Sequence, residues 1–245
     1  MLRLSLAARG WVAAFVLAAL VHLGALLTGA DTLADVSQAI LMPLLAGVLL
    51  AATRWPRGHL VRWATVALGA SWLGDSVPRL LDGDAAFLAM VGCFLVAQVA
   101  YVVAFAPDVR RSVLHRRPAL LVPYAVVLVV LMAACLPHAG SLALPVAVYG
   151  GVLTAMAVLA TGVGPLVAAG GAVFLVSDGL IALNQFVPGW TLPGQDFWVM
   201  VTYLVGQSLI VGGVVVRNRA VRRAPVAAPR AKSVPGRDNV VALVV

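Results

Sequence analysis

The chain has 245 residues, of which 62% are hydrophobic and 11% charged, with a mean hydropathy of +1.03. A soluble domain carries about 25% charged residues, so this chain lacks the polar surface to live in water and reads as an all-α integral membrane protein. Its formal charge of +8 would suggest a nucleic-acid partner on a soluble protein; here the basic residues lie in loops and a tail, membrane topology accounts for them, and no nucleic acid is expected.

A spanning helix needs about 20 mostly apolar residues, and eight such runs follow one another: 11–29, 36–53, 60–78, 86–106, 118–136, 140–160, 164–185 and 197–216. The first is preceded by Arg3 and Arg9 and followed by Leu27-Thr28-Gly29-Ala30, as a signal peptide would be. It exceeds the usual signal core of about 7–15 residues, so it is taken as a helix. The second carries Met42-Pro43 and Gly47, the third Gly74-Asp75, and the fourth Phe87 to Met90 with Phe94, Gln98 and Tyr101 further in. Cys93 and Cys135 both fall inside apolar runs, which offers neither a disulfide framework nor a metal-binding cluster. The sixth run holds Leu144-Pro145, Tyr149 and Gly150-Gly151, the seventh Gly171, Phe174, Ser177 and Asp178, and the eighth Tyr203 and Gln207. Residues 1–217 thus form one membrane domain. The tail 218–245 is rich in Arg, Ala and Pro and reads as disordered, either resting on anionic head groups or serving only as a topology signal.

Cytoplasmic loops carry the positive excess, and eight spans place both termini on one side. That side holds Arg3 and Arg9, Arg54, Arg57 and Arg62, Arg110, Arg111, Arg116 and Arg117, and every basic residue from Arg217 onward. Only Arg79 lies opposite, so both termini are expected in the cytoplasm of a bacterial-type cell with this protein in its inner membrane. The other face carries Asp31, Asp35, Asp82, Asp84 and Asp196.

The halves of the chain also resemble each other. Met42-Pro43 corresponds to Leu144-Pro145, Gly74-Asp75 to Ser177-Asp178, and Phe87-Leu88-Ala89-Met90 with Gln98 to Phe197-Trp198-Val199-Met200 with Gln207. Two four-helix repeats in tandem would be parallel, related by an axis along the membrane normal.

Within the spans the acidic residues are Asp75 and Asp178, and an aspartate near a helix centre is disfavoured by about 2.5–3.5 kcal/mol on insertion scales. Such residues face a bundle interior or a water-filled cavity. At 1.5 Å per residue, Asp75 lies about 20 Å beyond Arg62 and Asp178 about 21 Å beyond Gly164, so the two occupy one depth in the outer half of the bilayer. If they share a cavity, desolvation and mutual repulsion leave one protonated and the other ionised, an acid and base pair. Alternatively each only hydrogen-bonds a neighbouring helix. Tyr203 and Gln207 share a helix face, as do Gln98 and Tyr101 at a deeper level, and Tyr149 falls near mid-membrane or in the outer half. These, with Ser177 and Phe174, are the candidates for binding substrate or positioning water, though any one of them would serve equally as an interhelical bond. His22 reads as an interior histidine. Arg79, Asp82 and Asp84 lie near the outer mouth and read as solvated loop rather than as a head-group site. No His, Cys and carboxylate set has metal-ligand spacing, so neither metal nor organic cofactor is expected.

Gly74-Asp75, the set Phe94, Gln98 and Tyr101, the run Gly171-Ala172-x-Phe174-x-x-Ser177-Asp178, and Tyr203 with Gln207 resemble the YhhN-like lysoplasmalogenase family over roughly residues 36–215. The resemblance implies an eight-helix membrane hydrolase that cleaves the vinyl ether bond of a lysophospholipid to a fatty aldehyde and a glycerophospho-base, with Asp75 and Asp178 as the catalytic pair. The chain departs from the family pattern at Met42, where many members have Lys, and at Gln98, where they have His. Paired intramembrane carboxylates and interrupted helices also fit a proton-coupled transporter, and a third possibility is a non-enzymatic protein whose aspartates lock helices together.

Overall fold

The computed structural model describes residues 5–223. Eight long helices lie in this span: α1 (Leu6–Thr28), α2 (Asp31–Ala52), α3 (His59–Ser76), α4 (Gly83–Phe105), α5 (Leu121–Cys135), α6 (Ala143–Val163), α7 (Pro165–Phe186) and α8 (Gln195–Arg223). They coincide with the eight apolar runs, and the differences at their ends have local causes. α1 starts early because Ser5 caps it, its Oγ accepting from the Ala8 N–H at 3.2 Å, and it stops at Gly29, whose φ of 68° is the left-handed conformation that ends helices. α2 takes in Asp31 and Asp35, since an acidic residue in the first turn complements the positive end of the helix. α8 runs on through Arg223, so residues 218–223 of the expected tail are helical; the rest of that tail lies outside the described residues.

Seven of the eight helices are long and apolar enough to cross a membrane. The exception, α3, is less apolar because it carries His59, Arg62 and Asp75; it is wedged between α2 and α4 and also touches α8. Leu17, Leu20, Val126, Val129, Val130 and Leu144 are exposed on the outside, the reverse of a soluble protein and the surface that lipid requires. The chain is a multi-pass membrane protein.

Inside, small residues and internal hydrogen bonds accompany a core of buried Leu, Phe, Met and Tyr side chains. A Cβ added to Gly170 of α7 would stand 2.7 Å from the Gly206 carbonyl oxygen of α8, and one on Gly171 would stand 3.2 Å from Ala157 of α6. This glycine pair therefore brings α7 against both neighbours at once. Pro43 inside α2 has no N–H to give the Ala39 carbonyl four residues back. The Trp72 indole of α3 donates to that carbonyl at 2.9 Å, so the proline ties two helices together where it would otherwise leave an orphaned acceptor in hydrocarbon.

The two ends differ in charge. At one, Ser5, Arg54, Asn218, Arg219 and Arg222 line a common recess, Arg222 donates to the Arg54 carbonyl at 2.9 Å, and Arg217 pairs with Asp108 at 2.6 Å. The start of α1 and the end of α8 therefore lie together. The other end carries Asp31, Asp35, Arg79 and Asp196, around the mouth of a cavity.

A cavity holding two aspartates

The cavity has a volume of about 520 Å³ and is walled by α1, α2, α3, α4, α7 and α8. Both Asp75 and Asp178 line it. Four polar groups organise the first carboxyl. Tyr203 of α8 donates to Asp75 Oδ2 at 2.8 Å, and Gln38 of α2 donates through Nε2 to Oδ1 at 3.2 Å. The Gln38 amide is itself oriented by Arg79, which donates to its Oε1 at 2.6 Å, forms an ion pair with Asp35 at 2.8 Å, and bonds the Asp75 backbone carbonyl. A guanidinium on Oε1 leaves the amide NH₂ no choice but to face Asp75. Arg79 is therefore not the solvated loop residue expected from the sequence. Asp82 and Asp84 are exposed and do not line the cavity.

Asp178 has a simpler setting. Tyr149 of α6 donates to its Oδ2 at 2.5 Å. Asp75 is only 6% exposed, whereas Asp178 is half-buried and more open to the cavity. Tyr203 belongs to a trio of rings: Phe94, Phe174 and Tyr203 meet edge to face at centroid distances of 5.6–6.5 Å. Gly74 makes room for this trio, since a Cβ there would come within 2.8 Å of the Phe94 ring.

The remaining candidates are not all at the cavity. Ser177 lines it but donates its hydroxyl to the Val199 carbonyl at 3.0 Å. Gln207, Tyr101 and Ser71 form a buried chain on α8, α4 and α3, with Tyr101 donating to Gln207 Oε1 at 2.6 Å and Gln207 Nε2 to Ser71 Oγ at 3.1 Å. That chain braces the helices away from the cavity wall. Phe174 is fully buried behind Tyr203. Gln98 is fully buried, does not line the cavity, and its amide meets no partner at hydrogen-bond geometry. Met42 is likewise in the core, so neither departure from the family pattern stands on the cavity wall. His22 is interior as expected, its Nδ1 3.1 Å from the Ala34 carbonyl and 3.0 Å from Ser37 Oγ. Gln38 is not among the residues expected from the sequence; its signal there is that Asp31, Asp35 and Gln38 are spaced as one polar stripe on an apolar helix. Asn184, Gln185 and Gln195 also line the mouth. Among the described residues no cluster of three or more metal-ligating side chains occurs.

The family model described as the YhhN family matches residues 33–214. Two curated proteins named lysoplasmalogenase, from Mycobacterium bovis and Mycobacterium tuberculosis, are each 32% identical over 196 residues, covering 78% of this chain and 73% of theirs. No solved structure gives a significant match.

Proposed function

The chain belongs to the YhhN family, and from that premise we propose that it hydrolyses the vinyl ether bond of a lysoplasmalogen-type lysophospholipid, with Asp75 and Asp178 as its catalytic pair. The single observation that carries the reading is that both intramembrane carboxylates, each bonded by a tyrosine, line one cavity large enough for an amphiphile's polar part.

The reaction needs a proton donor for carbon, a negative charge beside the resulting cation, and a directed water. Asp75, with donors on both oxygens and a guanidinium beside it, takes the ionised role. Asp178, with a single tyrosine donor and greater access to the cavity, takes the proton donor's. Asp178 protonates the β-carbon of the vinyl ether, and the π pair forms the new C–H bond while the ether oxygen shares the positive charge of an oxocarbenium ion. Water adds to the α-carbon and gives a proton to Asp75. In the hemiacetal so formed, the hydroxyl returns a proton to Asp178 while the glycerol oxygen takes one from Asp75, and the C–O bond breaks. One water is consumed, a fatty aldehyde and a glycerophospho-base leave, and both carboxyls regain their starting states. Charge stabilisation of this kind is strongest where water is scarce, which suits a site sunk among apolar helices.

By the positive excess, the arginine-rich end where α1 begins and α8 ends faces the cytoplasm and the cavity opens at the opposite membrane surface. The test is aldehyde release by the purified protein from a lysoplasmalogen in D₂O, beside a saturated-ether analogue. The reading expects aldehyde carrying one deuterium on the carbon next to the carbonyl and no product from the saturated ether. A well-folded protein that releases no aldehyde sinks it.

A further inference from the structure

A second, smaller hollow of about 50 Å³ adjoins the cavity between α4, α6 and α7. Its walls repeat at helical spacing: Phe87, Met90, Val91 and Phe94 on α4 and Asp178, Ile181, Ala182 and Phe186 on α7, each set a single stripe. Apart from the Tyr149 hydroxyl and the Asp178 carboxyl, every group in it is apolar. Phe87, Met90, Phe94, Asp178 and Ile181 line both hollows, so the two adjoin and Asp178 belongs to both. α4 and α7 do not pack backbone to backbone as α4 does with α6. They meet through rings, Phe94 on Phe174 and Phe87 on Phe186 at 5.6 Å.

We propose that this seam is the subsite for the hydrocarbon chain of a single-chain ether lipid, holding its first carbons between α4, α6 and α7 beside Asp178. The proposal rests on the hydrolase reading and deepens it. The substrate is polar on one side of the vinyl ether and apolar on the other, and the protein offers a polar cavity and an apolar seam that meet at Asp178. A lipid so placed has its β-carbon at the carboxyl assigned the proton. The seam, at about 50 Å³ against about 520 Å³ for the polar cavity, has room for the first carbons of one chain.

The test is photo-cross-linking in detergent with a saturated-ether lysophospholipid, which cannot be hydrolysed, carrying a diazirine on the third chain carbon. Adducts are mapped by mass spectrometry in the wild type and in Ala182→Phe and Val91→Phe, each checked for folding by thermal stability, and aldehyde release from a lysoplasmalogen is measured on the same samples. The expected result is labelling on residues 87–94 and 181–186, falling by about tenfold or more when either phenylalanine fills the seam, as a one-group change in an apolar pocket does. Labelling confined to other helices, or labelling of these segments undiminished in both folded variants, overturns the proposal. A wild type that labels as expected yet releases no aldehyde leaves the subsite standing and removes the hydrolase reading instead.

Discussion

At the level of single residues, the central asymmetry is between the two carboxyls. Asp75 is held from both oxygens and Asp178 from one, and Arg79 acts on Asp75 through Gln38 rather than touching the cavity's reacting centre itself. Replacing Arg79 by Lys keeps a cation but loses the fork that serves Asp35 and Gln38 together. Aldehyde release should then fall by about tenfold in kcat with little change in KM, because the loss is in orienting a catalytic group. The Arg79–Asp35 pair is well exposed and worth little to stability, so the melting temperature of Arg79→Lys in detergent should stay near that of the wild type. A large drop in melting temperature would instead mark Arg79 as structural. Gly74→Ala is expected to act by another route: its methyl would meet the Phe94 ring and, through the ring trio, displace the Tyr203 hydroxyl from Asp75. Aldehyde kinetics should show a lowered rate that Phe94→Leu partly restores. Asp75, Asp178, Tyr203 and Tyr149 were all legible from residue type and depth, because a polar group in hydrocarbon needs a reason to be there. Gln38 is legible only as part of the polar stripe it forms with Asp31 and Asp35, and nothing in the sequence reveals that Arg79 folds back onto that stripe.

At the level of helices, the eight apolar runs gave the elements, and the residues that break apolarity explain how they fit. Pro43 frees a carbonyl that Trp72 fills. Trp72→Phe keeps the ring and removes the donor, and should cost about 1 kcal/mol, read as a modest drop in thermal stability. Gly170 is a stronger case, since a side chain there would meet the α8 backbone and not a movable group. Gly170→Val should separate α7 from α8 and destabilise the fold by about 1–3 kcal/mol or more, with lost activity following lost folding. Helix boundaries were less legible. Capping by Ser5 and the entry of Asp31 and Asp35 into α2 depend on local hydrogen bonds and on the helix dipole, which a count of apolar residues ignores. The tandem correspondence has an echo in the packing: α3 lies on α2 and α4 as α7 lies on α6 and α8. The outer helices differ, α1 packing closely on α2 while α5 makes only light contact with α6, so we propose the repeat for the three inner helices of each half.

At the level of the whole molecule, the charge distribution and the cavity describe one orientation. Arginines gather where α1 begins and α8 ends, and the aspartates surround the cavity mouth at the other end. Exposed Trp55 lies at the first end, and Trp190 and Trp198 at the second, where aromatic belts meet the head groups. In intact cells, a cysteine placed at residue 220 should resist an impermeant thiol reagent while one at residue 82 reacts, in a background lacking Cys93 and Cys135; the opposite pattern would reverse the proposed orientation. The account as a whole depends on the two aspartates acting as one unit on one bond. The most direct measurement is therefore the aldehyde-release rate of Asp75→Asn, Asp178→Asn and the double variant, each shown to fold by thermal stability. Groups that act together are not additive, so each single change should lower the rate by about 10²-fold or more and the double should fall little further. Substantial rate in either folded single variant, or losses that multiply in the double, would contradict a shared catalytic pair.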